Sequence, residues 1–298
     1  MTAHTFAKRY WLGLLAAAGL GMALVTSGCS ALDAKQRTMI FQPSDRIWQR
    51  ADMQGMEDVW IDFHSQEAQQ DVRLHGLWLP HENPDAPILL YLHGARWNVT
   101  GSTLRMRNMH SLGFAVLAID YRGFGKTAPQ ELPSEASARE DALAAWQWLQ
   151  ARFPQHPRWI FGHSLGGAIA IDLATRVDDE QALMVEGTFT NIRDMARNFR
   201  WGWLPVGPFI TQKFDSLAKI GQVGSPVLVV HGSADALIAP WHGEQLYAAA
   251  QQPKQWVLVD GGSHHSTNST GLPQYRAALQ ALAPDWQLAA QQTSASTP

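Results

Sequence analysis

The chain has 298 residues with 23 Lys and Arg against 26 Asp and Glu, a formal charge of -3 with no basic run, which argues against nucleic acid as its partner. One cysteine leaves no internal disulfide, so the fold must be held by its core alone. Thirteen tryptophans and a charged fraction of 16% describe a dense apolar globule, and the length admits one large domain.

In chain order, Lys8 and Arg9 precede an uncharged apolar run from Tyr10 to Val25, followed by Thr26-Ser27-Gly28-Cys29-Ser30. A basic start, an apolar stretch and small residues before a cleavage point read as a secretory signal over residues 1–28. The run is short for a membrane span, which needs about 20 apolar residues. Small residues directly before the lone Cys29 resemble a bacterial lipobox, in which cleavage precedes the cysteine and its thiol carries diacylglycerol. An ordinary signal peptide with an incidental cysteine is the alternative. On the lipobox reading Cys29 is the lipidation site, each buried methylene anchoring by about 0.8 kcal/mol. Ser30 rather than Asp after it points to the outer membrane, with the protein on its periplasmic face. Removing residues 1–28 leaves 21 basic against 26 acidic residues, a net charge of -5.

Residues 29–55 show no clear period and read as a tether leading into the domain. Segments 59–63 and 72–79 alternate as strands do, with a turn at Asn83-Pro84-Asp85. Segments 88–92 and 114–119 are unbroken apolar runs, typical of strands covered on both faces, with a helix over 102–112 between them. Ser134 opens a helix to Arg152, with Leu143, Trp146, Trp148 and Leu149 on its apolar side. A strand at 158–161, a helix of small and apolar residues at 167–174 and a strand at 183–186 follow. A short insert at about 190–222 precedes strands at 227–230 and 256–259. The polar end, 285–298, reads as a flexible tail. Strands separated by helix-length segments imply an α/β domain over 56–284, with a mostly parallel sheet covered on both faces. In such sheets the site gathers beyond the carboxyl ends of the strands.

The motifs stand at those ends. Gly162-His163-Ser164-Leu165-Gly166 places Ser164 on a sharp strand-to-helix turn, the setting of an exposed nucleophile. A serine hydroxyl needs a base within hydrogen-bond reach. Asp260-Gly261-Gly262-Ser263-His264-His265 offers His264, which the preceding Gly-Gly-Ser bend would return over the sheet edge, with His265 as the alternative. Neither a cysteine nor an acidic cluster accompanies this pair, so no metal is expected there. His231-Gly232-Ser233-Ala234-Asp235 supplies Asp235 as the orienting acid, with Asp260 and Asp215 as alternatives. The oxyanion would be met by the backbone N–H groups of Leu165 and of Ala95, in His93-Gly94-Ala95-Arg96.

Over residues 58–283 the chain resembles the α/β-hydrolase superfamily. The resemblance is carried by LLYLHG at 89–94, DYRGFGKT at 120–127, GHSLGG at 162–167, HGSAD at 231–235 and GGSHH at 261–265. It is similar to the small-insert branch with membrane-anchored esterases and depalmitoylases, in which EGTFTNI at 186–192 and KFDSLAKI at 213–220 have counterparts. The resemblance implies an α/β-hydrolase fold with an eight-stranded sheet, only the second strand antiparallel. It also implies hydrolysis of carboxylic esters or thioesters through an acyl-serine, without a cofactor. Ala95 stands where many members have a polar residue, so no side chain there would assist the oxyanion. Asp120-Tyr121-Arg122-Gly123 reads as a structural turn, and His93 as a brace for the oxyanion loop.

His163, Trp201, Trp203 and Phe209 are candidate pocket residues, the last three within a stretch from Asn191 to Asp215 that reads as an acyl wall or as ordinary core. Arg193, Arg197 and Arg200 beside the two tryptophans form a solvated face or a contact with lipid headgroups. The same triad would serve an acyltransferase, a peptidase or a lipase, and a silent envelope binding lipoprotein is the reading outside enzymes. The partners expected are an acylated substrate and, through Cys29, a lipid bilayer.

Overall fold

In a computed structural model, which describes residues 28–48, 52–127, 131–197 and 207–283, the apolar runs become the middle of an eight-stranded sheet. The strands are β1 (Glu57–Ser65), β2 (Gln70–Leu79), β3 (Ile88–Leu92), β4 (Ala115–Ile119), β5 (Arg158–His163), β6 (Glu180–Glu186), β7 (Val227–Gly232) and β8 (Lys254–Val259). Their order is β1-β2-β4-β3-β5-β6-β7-β8. Strand β2 runs antiparallel to β1 and β4, and every other pairing is parallel, as the resemblance implies.

Beside α1, which occupies residues 28–41, the helices are α2 (Thr103–His110), α3 (Glu135–Arg152), α4 (Leu165–Ala174), α5 (Ile192–Arg197), α6 (Ser216–Ile220), α7 (Trp241–Ala249), α8 (Thr267–Thr270) and α9 (Leu272–Leu282). Side chains alternate across a strand, so an unbroken apolar strand feeds two cores. In β3, Ile88, Leu90 and Leu92 face the core built with Trp146 of α3 and Ile169 of α4. Leu89 and Tyr91 face the other, with Met106 of α2 and Leu279 of α9. Each such side chain, fully buried, contributes about 1.5–3 kcal/mol. Ser134 caps α3 reciprocally with Ser137, each hydroxyl accepting the other's backbone N–H, worth about 1 kcal/mol.

The tether is where the structure departs most from expectation. Residues 28–41, where the sequence shows no clear period, form a helix, and Phe41 at its end is fully buried against the rings of Phe124 and Phe214. Gln36 binds the insert on both sides, its Nε2 donating to Phe209 O and its Oε1 accepting from Thr211 N at 2.9 Å. Docking against the insert, not a strong local period, defines this helix. The signal segment up to residue 27, Trp201, Trp203 and the tail from 285 lie outside the described residues. Among the described residues no helix is long and apolar enough to cross a membrane.

Candidate active site

Ser164 sits between the end of β5 and the start of α4 with φ 57° and ψ -123°, a region that disfavours any residue with a Cβ. Backbone strain of this kind costs on the order of 1–3 kcal/mol and persists only where surrounding structure enforces it. The enforcement is visible in the flanking glycines. A Cβ on Gly162 would lie 2.2 Å from Gly166 O, and one on Gly166 would lie 2.0 Å from Leu92 O. The turn is then tied to β6: Ser164 N donates to Glu186 O at 2.9 Å, and Thr188 Oγ1 donates to Ser164 O at 2.8 Å.

Beyond β7 and β8 the predicted acid and base meet. His264 Nδ1 lies 2.8 Å from Asp235 Oδ2, while Asp235 Oδ1 accepts the N–H groups of Leu237 and Ile238. Burial alone would raise the Asp235 carboxyl. Hydrogen bonds from His231 and His264 outweigh it and hold the group well below the usual carboxylate range. An ionised Asp235 requires a proton on His264 Nδ1, which leaves Nε2 as the basic nitrogen. His264 and Ser164 line one cavity. Neither His264 Nε2 nor Ser164 Oγ has a hydrogen bond among the described residues, a geometry that in unliganded sites tightens when substrate binds.

The alternatives are disposed elsewhere. His265 is exposed and stacks on Trp97, and the hydrogen bond to Asp235 is made by His264. Asp260 accepts from Ser233 Oγ at the surface, and Asp215 caps α6 through Ala218 N.

The loop after β3 closes over Ser164. A Cβ on Gly94 would lie 3.1 Å from Ser164 Cβ, and Ala95 and Leu165 line the cavity with Ser164. Their N–H groups have no acceptor among the described residues, as free oxyanion donors require. His93 is buried and donates from Nδ1 to Gly94 O at 2.7 Å, and burial lowers its pKa, so it braces this loop as a neutral ring. Asp120 is equally structural, accepting from His75 Nδ1, Val99 N and Lys126 N. Arg122 is buried against Asp141 and Glu140.

A buried ion pair under the site was not anticipated. Arg105 of α2 binds Glu186 Oε1 through Nε at 3.1 Å and Nη2 at 3.0 Å, and Tyr275 of α9 donates its hydroxyl to the other oxygen of Glu186. Arg105 Nη2 also donates to His264 O at 3.2 Å, fixing the backbone of the histidine bound to Asp235. A glutamate directly after the apolar run 182–185 was the available signal. Its partners, 81 and 89 positions away, had none.

The cavity measures about 470 Å³. Leu32, Met39 and Ile40 of α1, Ile192 and Met195 of α5, and Phe209 give it apolar walls, with Ser164 and His163 at its polar end. Phe209 of the predicted pocket set is thus on the wall. His163 is buried, its Nε2 3.0 Å from His264 O, and burial and the Arg105 charge push its pKa well down. The described residues that could gather a metal, His81, Glu82 and His110, do not line the cavity.

A family model described as serine aminopeptidase, S33, matches residues 83–208. The Pyrococcus furiosus esterase Pf2001 superposes with a TM-score of 0.64 at 17% identity, covering 83% of this chain and 97% of that one, a likeness of fold. An uncharacterized protein of Mycobacterium tuberculosis is 32% identical over 253 residues, 82% of this chain and 86% of that protein. The chain belongs to the α/β-hydrolase family. This α/β hydrolase is a serine hydrolase. It is also 32% identical to the lysophosphatidylserine lipase ABHD12 of Danio rerio over 209 residues, 60% of the hydrolase and 54% of the lipase. The hydrolase thus spans about half of that lipase's length.

Proposed function

We propose that this hydrolase cleaves carboxylic esters or thioesters of acyl chains through an acyl-Ser164 intermediate, held by lipid at Cys29 in the bacterial envelope. Ser164 Oγ attacks the carbonyl while His264 Nε2 takes its proton, and Asp235 stabilises the imidazolium. The N–H groups of Ala95 and Leu165 receive the oxyanion, together worth several kcal/mol. His264 then gives the proton to the departing oxygen or sulfur as the bond to the acyl carbon breaks. Water, activated by the same imidazole, releases the acid and restores Ser164. Neither step calls for a metal or organic cofactor.

The observation that carries this reading is the composition of the cavity wall. Among its described residues there is no Asp or Glu, and its bulk is aliphatic or aromatic. An aminopeptidase must hold its substrate's ammonium group, for which a carboxylate is the natural partner. An acyl chain asks only for apolar surface. Lipase relatives support the same substrate class. So does the position of Cys29, exposed in α1 and three residues before Leu32, about 4.5 Å along a helix axis. An anchor there holds the cavity wall next to the bilayer.

The test is ester turnover by the purified protein together with labelling by a fluorophosphonate probe. Ser164→Ala should abolish both, with turnover down roughly 10⁴–10⁶-fold. A variant keeping most of its rate would sink the mechanism, and faster cleavage of aminoacyl amides than of acyl esters would return the assignment to peptidase. For the anchor, Cys29→Ser should release the protein from membranes or leave the precursor unprocessed. Unchanged fractionation and mass would rule the anchor out.

A further inference from the structure

Asn98 stands three residues after Ala95, where the loop over Ser164 passes into a short 3-10 helix, Val99–Ser102. It is 1% exposed, and both polar atoms of its side chain are engaged. Oδ1 accepts the N–H of Thr100 at 3.1 Å, the hydroxyl of Thr100 at 2.7 Å and the N–H of Gly101 at 3.4 Å, which caps the helix. Nδ2 donates to Ser44 O at 3.2 Å and to Arg46 O at 2.8 Å. Donors face Oδ1 and carbonyls face Nδ2, so only one orientation of the amide satisfies the site. Capping alone would be served as well by Asp or Ser. The two bonds to Ser44 and Arg46 are what require an amide.

Both acceptors lie in the segment 42–48, which follows α1 and is held firmly on the domain. Phe41 before it is fully buried, Ser44 O also accepts Gly125 N at 3.0 Å, and Trp48 N donates to Thr100 Oγ1 at 3.3 Å. The Trp48 ring stacks on Trp97 with centroids 5.1 Å apart, and Trp97 stacks in turn on His265 at 5.6 Å. Arg96 N donates to Phe41 O at 2.9 Å, which holds Arg96 at φ 69°, a conformation that residues with a Cβ avoid. The loop after β3 is thus tied to the N-terminal segment at Arg96 and at Asn98, one and three residues past the Ala95 N–H. An oxyanion donor works by standing in place before charge develops. A misplacement of about 1 Å costs on the order of 100-fold in rate.

We propose that Asn98 is a positioning residue of the oxyanion hole: by tying the loop after β3 to the segment 42–48, it holds the Ala95 N–H where the oxyanion will form. Asn98 does not line the cavity, so it acts through the loop and not on the substrate. The segment that leads from Cys29 into the domain is then part of the active-site scaffold. This assignment rests on the ester-hydrolase reading above, with Ala95 and Leu165 as the oxyanion donors.

The experiment follows hydrolysis of a neutral nitrophenyl ester by the full-length protein and by Asn98→Ser and Asn98→Asp. Each variant keeps an oxygen that can cap the helix and loses the amide N–H groups. Turnover is divided by the number of sites that a fluorophosphonate probe labels at completion, so unfolded protein does not count. In both variants kcat per site should fall about 10–100-fold while KM stays within about threefold. The pH midpoint of kcat/KM should not move, since His264 and Asp235 keep their bond. A trifluoromethyl ketone adds Ser164 Oγ to its carbonyl carbon and leaves an oxyanion, so its affinity should fall by the same factor as kcat/KM. Asn98→Ser adds no buried charge, so it remains informative where Asn98→Asp fails to fold. A kcat per site within about threefold of wild type in Asn98→Ser, or an unmoved ketone affinity, overturns the positioning role alone. No turnover of the ester by the wild type overturns the ester reading and the positioning role with it.

Discussion

Two adjacent histidines follow β8, and only one is held by a carboxylate. His264 is bonded to Asp235 and anchored through its carbonyl to Arg105, whereas His265 is exposed and stacked on Trp97. His264→Ala should therefore lower kcat on a neutral nitrophenyl ester by roughly 10⁴–10⁶-fold. His265→Ala should act on KM and leave kcat within about tenfold of wild type. The reverse ranking would assign the base to His265. Asp235→Asn should keep the protein folded and drop kcat by about 10⁴-fold, because the amide offers an N–H where the ring also has one. The flanking glycines answer to a steric requirement: with 2.0 Å between a Cβ at 166 and Leu92 O, any side chain there displaces β3 or α4.

Between elements, α2 and β6 are joined by a buried charge pair. Arg105 and Glu186 are both buried, and removing one partner leaves the other's charge without compensation, which costs about 3–5 kcal/mol. Arg105→Met and Glu186→Leu should each show that loss in urea unfolding, and Arg105→Met should also slow fluorophosphonate labelling because the His264 loop loses its tie. The double variant should be more stable than either single one. Additive losses would mean that the pair does not act as a unit. The same reasoning applies to α1. Phe41 is fully buried and its carbonyl holds Arg96, so Phe41→Ala should cost about 3–5 kcal/mol and loosen the loop over Ser164.

For the molecule as a whole, buried neutral histidines tie stability to pH. Burial lowers the pKa of His93, of His163 and, to about 4, of His242. The unfolded chain therefore binds more protons than the folded one from about pH 6.5 down to about 4, and stability falls as pH falls through that window. Asp235, held below the carboxylate range, loses its contribution only at still lower pH and in the same direction. The melting temperature should thus decline between pH 7 and 4.5. His242→Gln should flatten that slope by an amount on the order of 3 kcal/mol over the window. A flat profile in the wild type would mean that these rings do not stay neutral in the fold.

Most of the sheet could be read from local pattern. Burial on both faces demands an unbroken apolar run, so 88–92 appears with the bounds of β3, and a strained turn demands Gly162 and Gly166. The order of the serine, acid and base motifs along the chain, each after a strand, was equally legible. The bend at Gly261-Gly262 likewise favoured His264 over the adjacent His265, and His264 is the ring that reaches Asp235. Two things were not legible. A short helix without a strong apolar stripe gave no reason to expect that α1 would form a cavity wall, because its stability comes from Gln36 and Phe41 meeting the insert. The Arg105–Glu186–Tyr275 cluster joins residues on three elements whose approach no local period encodes. Sequence by itself determined which segments are strands and where the backbone is forced into a tight turn, since both depend on near neighbours. Tertiary structure alone decided which charges meet, since that depends on where distant elements cross.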